Sequence, residues 1–382
     1  MRVLICPDKF AGTLAAPEVA AAVAAGWRSV APDDTVDCRP LADGGPGFLA
    51  AVDAGLSGER LPVVSVDPLG RPVTAEILVA GSVAYVESAA VCGLELLAPG
   101  ERDPKVTSSY GLGALVLAAL HAGAAEIVIG LGGSAVNDGG AGLLEAVGVT
   151  AVDESGQPLP RGGAALAGCA AVTGTPAVRG ARLVAASDVD SPLTGIFGAT
   201  AVYGPQKGAT REDVLVLDAA LERFAAVLSD QLPGCPPDLA ARPGAGAAGG
   251  LGAAILALGG TMRSGIAIVA EVAGLPRALD EADIVITGEG SFDSQSLRGK
   301  VVSGVAGAAR DRGLPCVVVA GRSSAGRRES AAAGVTDVYT LVDHFGDEAR
   351  AMARPTEGLE ALGARLATQW SPAYRSRTGQ TA

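Results

Sequence analysis

The sequence predicts an α/β protein: a doubly wound, mostly parallel sheet of the Rossmann/flavodoxin-like kind, carrying a large inserted second α/β domain. Three observations support this. Short Val/Ile/Leu runs alternate with Ala-rich helical stretches over most of the 382 residues, a rhythm that implies parallel strands joined by right-handed helical crossovers. One hairpin pattern, between Arg71 and Glu87, breaks that rhythm. The length, at roughly 150 residues per domain, suits two domains or one large domain with an insertion.

The elements follow in order. Val3 to Cys6 is a buried strand that ends at Pro7-Asp8-Lys9. The helix Pro17 to Val30 comes next, with Pro17 in its first turn, where a missing N–H is not needed. Val36 to Arg39 reads as the second strand. Val73 to Val79 and Val83 to Glu87 alternate around Ala80-Gly81-Ser82, the signature of a hairpin. Beyond it lie strands Ile127 to Gly130 and Leu183 to Ala186, with helices Gly111 to His121, Ala141 to Val147 and Arg211 to Leu232. The uncharged stretch Gly244 to Met262 is crowded with Gly and Ala and would barely cross a bilayer, so it reads as a loop followed by a buried helix. Strands Ile284 to Thr287, Cys316 to Ala320 and Val335 to Leu341 and helices Val301 to Asp311 and Pro355 to Gln369 complete the chain. The hairpin and the Pro/Gly joints near Pro68-Leu69-Gly70 and Gly274-Leu275-Pro276 place the inserted domain at 71–280. Residues 1–70 rejoin 281–370 as one discontinuous domain, and 371–382 are expected to form a frayed tail.

Composition narrows the function. Hydrophobic residues at 49% and charged residues at 18% exclude a disordered or fibrous chain. With 29 Lys plus Arg against 41 Asp plus Glu, the net charge is −12. No basic stripe offsets it, which argues against nucleic acid as a partner. No signal-peptide core or membrane span is readable, and the six scattered cysteines contain no C-x-x-C pair, so unpaired thiols in a reducing cytoplasm are expected. Only His121 and His344 are present, which disfavours Ser-His-Asp hydrolysis and multi-histidine metal chemistry. Nothing in the sequence fixes an oligomeric state.

What remains is a recurrent device in which a strand runs into a turn rich in Gly, Asp and hydroxyl or cationic residues. It occurs at Pro7-Asp8-Lys9-Phe10, at Ala42-Asp43-Gly44-Gly45, from Gly130 to Gly140, at Ser187-Asp188-Val189-Asp190, and from Thr287 to Asp293. In open α/β sheets the carboxyl ends of strands line the ligand crevice. Gly132 and Gly133 would expose backbone N–H groups to an anion, with Ser134 and Asn137 as donors at the helix start. Asp43, Asp188, Asp190, Glu289 and Asp293, with Lys9, Lys207, Arg298 and Lys300, supply the acids and cations that metal-assisted phosphoryl transfer needs. The P-loop and protein-kinase signatures are absent. Gly130-x-Gly132-x-x-Ala135 also fits the dinucleotide fingerprint, with Glu154 near the spacing of a ribose-binding acid. A nicotinamide-dependent hydroxy-acid dehydrogenase is therefore the alternative, and a non-catalytic sugar-acid sensor is another.

Together the motifs resemble the ATP-dependent glycerate kinase family with the N-terminal Pro-Asp-(Ser/Lys)-Phe signature. The segments are Pro7-Asp-Lys-Phe10, Ala42-Asp-Gly-Gly45, Val106-Thr-Ser-Ser-Tyr-Gly111, Gly132-Gly-Ser-Ala-Val-Asn-Asp-Gly-Gly140, Asp188-Val-Asp190, Tyr203-Gly-Pro-Gln-Lys-Gly-Ala-Thr210, Pro243 to Gly250, Ile286-Thr-Gly-Glu-Gly290 and Asp293 to Lys300. They run in family order from residue 3 to about 345. The resemblance implies ATP and Mg²⁺, a two-domain α/β fold with the site in its cleft, a place in glyoxylate or glycerate metabolism, and phosphoryl transfer to D-glycerate giving 2-phosphoglycerate. The sequence departs from the family at Ala11, where a Lys or Arg is frequent, and at Pro46, where an acid is frequent.

On this reading Asp188 is the favoured proton acceptor and Asp293 the second choice, with Lys9 in the catalytic set. Asp43 and Asp190 are assigned to Mg²⁺. Arg298, Ser134 and Asn137 bind the substrate, Arg298 by a two-pronged grip on the carboxylate. Gly132, Gly133, Lys207, Gly246, Glu289 and Lys300 are assigned to phosphate and ATP.

Overall fold

The computed structural model describes residues 1–372 apart from Arg179, Gln295, Arg298 and Gly299. It has the α/β architecture the sequence predicts, with strands β1 Arg2–Ile5, β2 Thr35–Cys38, β3 Glu59–Val66, β4 Pro72–Ala80, β5 Val83–Glu87, β6 Glu126–Gly130, β7 Val149–Val152, β8 Ala171–Gly174, β9 Arg182–Ala186, β10 Thr261–Arg263, β11 Ile284–Phe292, β12 Cys316–Ser323 and β13 Asp337–Thr340. Chain packing gives two compact units. The first comprises Met1–Ala42, Ala50–Leu56 and Ile266–Ala382, and the second Asp43–Leu49 and Ser57–Gly265.

The first unit holds a wholly parallel sheet in the order β13-β12-β11-β1-β2. Alternate residues cover its two faces, as the pleat requires. Val3, Ile5, Ile284, Ile286, Val317 and Val319 pack with Val19, Val23 and Trp27 of helix Ala16–Val30 and with Leu359, Leu362 and Leu366 of helix Pro355–Trp370. Those two helices meet backbone to backbone. A Cβ on Gly26 would lie 1.9 Å from the Glu360 carbonyl oxygen, and one on Gly363 would lie 2.3 Å from that of Val23. Only hydrogen fits at either crossing point. Trp27 donates its indole N–H to Asp34 at 3.1 Å, and the Met1 ammonium meets the other Asp34 oxygen at 2.8 Å. Helix Val301–Arg310 packs on β11 and β12.

The second unit holds a six-stranded sheet in the order β10-β9-β6-β5-β4-β3. The strands from β10 to β5 are parallel, and β4 and β3 fold back antiparallel. Its core joins Ile77, Val86, Ile127, Ile129, Leu183 and Ala185 of the sheet to Leu112, Leu115 and Val116 of helix Tyr110–His121 and to Leu221, Phe224 and Leu228 of helix Arg211–Gln231. The hairpin appears as read, with Ala80 opposite Val83, and β7 and β8 form a separate two-stranded ribbon.

Several predicted boundaries move. The chain passes between the units at 42/43, 49/50, 56/57 and 265/266, rather than at 70/71 and 280/281, because β3 pairs with β4 along its whole length. Gly244 to Met262 contains the expected buried helix, Leu251–Ala257, but its last residues begin β10. The run Val335 to Leu341 is a strand only over Asp337–Thr340, because Thr340 accepts the Asp343 amide at 3.0 Å and starts helix Leu341–Phe345. The Thr287 to Asp293 turn is mostly strand: Glu289 pairs with Ala320 and Ser291 with Arg322. Ser371, expected to fray, is buried and closes the final helical turn on Ala367; residues 373–382 of that tail lie outside the described residues. All six cysteines are free of disulfides. Among the described residues no helix is long and apolar enough to cross a membrane.

Candidate functional site

In the first unit the strand order reverses between β11 and β1, and a doubly wound sheet opens its ligand crevice at that point, beyond the carboxyl ends of the strands. The backbone zips past the end of β1, since the Cys6 and Asp8 amides donate to Ile286 and Gly288 oxygens, both at 2.8 Å. Asp8 and Lys9 are thereby fixed beside the middle of β11, and the Asp8 carboxylate accepts the Lys9 amide at 2.7 Å. Glu289 rises from β11 and is 8% exposed, with Oε1 buried and without a hydrogen-bond partner. Burial pushes its carboxyl up to about 7, Asp8 and Asp293 add to the rise, and a Ser296 hydrogen bond and Lys300 oppose it. Asp293 exchanges hydrogen bonds with Ser296, its amide donating to Ser296 Oγ at 3.0 Å. Lys300 sits at the start of helix Val301–Arg310, its amide donating to Ser303. The first unit therefore gathers Lys9, Glu289, Asp293 and Lys300, together with Asp8, which the sequence assignment omits. Ala11 is exposed beside this loop. Arg298 lies outside the described residues.

In the second unit the loops after β6, β9 and β10 and the segment Asp43–Phe48 come together at the carboxyl edge of the sheet. Leu131 donates to the Ala186 oxygen at 2.9 Å and Ser187 to that of Arg263 at 2.9 Å. The loops touch through glycine backbone: a Cβ on Gly132 would sit 2.6 Å from Gly45 Cα, one on Gly44 2.3 Å from the Ala186 oxygen, and one on Gly265 2.4 Å from the Asp43 oxygen. Gly132 is thus required by loop-to-loop contact, and Gly133, which is exposed, rests on the Pro46 ring. Asp43 accepts the Gly45 amide at 3.0 Å. Glu87, at the end of β5, ties down the same segment by accepting the Gly47 and Leu49 amides. Asp188 and Asp190 are exposed, and Ser264 donates to Asp188 Oδ1. An open groove of about 310 Å³ is lined by Asp188, Asp190, Pro243, Met262, Arg263 and Ser264, among others.

Three assigned residues stand elsewhere in this unit. Lys207 is not a solvated point charge: it is 2% exposed and donates to Val136 O at 2.7 Å and to Ser134 Oγ at 3.0 Å. Burial lowers its ammonium to about 7, against the opposing influence of Asp138 and Cys92. Asn137 is fully buried and donates to Thr200, with its Oδ1 unpartnered. Neither side chain is presented at the edge, because the Gly130 to Gly140 segment folds inward on Asp138, which accepts hydrogen bonds from Ser109, Gly140 and Gly142. Gly246 offers no open amide, since its N–H already donates to Ser191 and a Cβ would lie 2.2 Å from the Pro192 oxygen. Close packing accounts for that glycine run. The dinucleotide fingerprint fails its context test too, because helix Ala141–Ala146 begins well after Ala135 and Glu154 stands in an exposed turn.

Among the described residues no three Asp, Glu, His or Cys side chains converge as metal ligands. Mg²⁺ keeps several waters and needs only one or two carboxylates besides substrate phosphates, so the hard oxygens of Asp43 and Asp190 are compatible with it.

A family model described as the glycerate kinase family matches residues 3–371. The chain is 41% identical over 327 residues to the glycerate 2-kinase of Escherichia coli K12, covering 84% of this chain and 85% of that one. It is 38% identical over 371 residues to a glycerate kinase of Halalkalibacterium halodurans, covering 96% and 97%. The crystal structure of a Salmonella typhimurium LT2 protein provisionally named glycerate kinase 2 superposes with a TM-score of 0.81 at 38% identity, over 100% of this chain and 99% of that one.

Proposed function

The chain belongs to the glycerate kinase family and is a kinase that phosphorylates a hydroxyl group; on that premise we propose that it transfers the γ-phosphoryl group of ATP to the C2 hydroxyl of D-glycerate, giving 2-phosphoglycerate. The observation that carries this reading is the gathering of Asp43, Gly132, Gly133, Asp188 and Asp190 at one edge of the second unit's sheet. Loosely bonded phosphoryl transfer asks little covalent chemistry of a protein and much positioning and charge compensation.

Asp188 accepts the proton of the attacking hydroxyl, and Ser264 holds its Oδ1 so that one carboxylate orientation dominates. The Gly132–Gly133 backbone takes phosphate oxygens, with Ser134 behind it. Lys207 serves by anchoring Ser134 rather than by touching phosphate. The first unit has a crevice of its own, in which Lys9 and Lys300 are the cations offered to an anion and Glu289 and Asp293 are the acids beside them. Mg²⁺, when bound, neutralises charge on the nucleotide's phosphate oxygens; Asp43 and Asp190 are the residues to hold it.

The test is phosphorus NMR on purified protein with ATP, Mg²⁺ and D-glycerate. Phosphorylation at C2 gives a new phosphomonoester doublet, split by the single methine proton. A triplet would move the product to the C3 ester, and no new resonance would overturn the reading.

A further inference from the structure

The groove at the ends of β9 and β10 carries two carboxylates, Asp188 and Asp190, and one cationic side chain among its lining residues, Arg263. No motif of the sequence singles out Arg263. It ends β10 directly beside Ala186 in the parallel ladder, so its backbone is locked: its carbonyl accepts the Ser187 amide at 2.9 Å, and Ser264, the next residue, donates to Asp188. Arg263 and Asp188 are therefore held on adjacent strand ends, with the Arg263 side chain exposed in the groove.

A hydroxy acid whose hydroxyl approaches Asp188 must bring its carboxylate within one or two carbon–carbon bonds of the same spot. Two aspartates would repel that carboxylate unless a cation compensates them. A guanidinium offers paired donors that match a carboxylate's two oxygens. The volume of about 310 Å³ admits a three-carbon acid with solvent but is small for a whole nucleoside triphosphate.

We propose that Arg263 is the specificity-determining residue of the acceptor site, binding the carboxylate of the hydroxy-acid substrate while Asp188 faces its hydroxyl. This rests on the glycerate kinase reading and adds the group that makes the acceptor an acid rather than a neutral polyol.

The experiment compares wild type, Arg263→Gln and Arg263→Lys by steady-state kinetics with ATP and D-glycerate, and by calorimetric titration of D-glycerate alone. The Gln variant should raise KM for D-glycerate about 10- to 100-fold, the range of a lost charge-assisted contact, while KM for ATP stays within about threefold. The Lys variant should recover part of the loss. A D-glycerate KM unchanged in the Gln variant, or a rise confined to ATP, overturns the assignment while leaving the kinase reading intact. If wild type binds D-glycerate without phosphorylating it and the Gln variant binds it more weakly, the kinase reading fails and the carboxylate contact stands. If wild type does not bind D-glycerate, both fail.

Discussion

In each unit burial carries one side chain near the strand ends to about 7, Glu289 in the first and Lys207 in the second, and the two are opposite in sign and in circumstance. In the first, Glu289 has an oxygen that no group among the described residues satisfies. In the second, Lys207 is still more deeply hidden but donates to Val136 and Ser134. Burial moves both toward about 7, one from above and one from below. The partnered lysine ties one loop to another, whereas a buried carboxyl with one oxygen left unpaired is retained at a cost in stability, which is the ordinary mark of a group kept for what it does.

That contrast can be tested, beginning with the largest effect. If chemistry belongs to exposed acids and not to the buried pair, Asp188→Asn should lower kcat at least about a hundredfold, as loss of a general base does. A variant turning over near the wild-type rate would remove Asp188 from the reaction and return attention to Glu289.

Next in size is a pH dependence of stability. Folded Glu289 keeps its proton up to about pH 7, while an unfolded glutamate loses it near 4.5. Its stabilising contribution is therefore complete below the lower value and is lost as pH rises through the upper one, by about 3 kcal/mol in all. Urea titrations across that window should show the slope in wild type and its disappearance in Glu289→Gln. An identical slope in both proteins would mean that Glu289 is ionised in the folded state.

Lys207 should tilt stability the other way. Its folded form gives up a proton near pH 7 that the unfolded chain holds until about 10.5, so stability gains as pH climbs between them. Lys207→Met should lack that gain and, at pH 7, lose about 1–2 kcal/mol from the two abandoned acceptors. A Met variant as stable as wild type at pH 7 would show that the tether is dispensable. Smallest of all, Arg2→Ala removes a solvent-exposed ion pair with Glu281 and should leave the urea midpoint of unfolding where it is in wild type; a clear drop would show that the pair matters to stability.

The fold was legible where burial writes itself into residue type. Val3 to Cys6, Ile127 to Gly130 and Cys316 to Ala320 are apolar runs because both sheet faces are covered. β3 escaped notice because it mixes Glu59, Arg60 and Pro62 into an edge strand, and β10 because three residues carry no periodicity. The candidate site was legible in kind, since acids and glycines at strand ends are local signals. Which of them face outward was not, because that depends on contacts far along the chain. Lys207 is drawn inward by Ser134 and Val136, some seventy residues earlier. Asp8 stands in the Pro7-Asp8-Lys9-Phe10 motif without a signal that gives it a role, and Arg263 became visible only once β10 lay beside β9.

Glu289 belongs to a central strand, laced to β12 by its own register partner Ala320. A residue rooted that way has no hinge, so whatever arrives must come to it. Its response to a ligand is a change of ionisation at a fixed address, which makes a carbon-13 label on that single carboxyl a stationary reporter of occupancy in this unit.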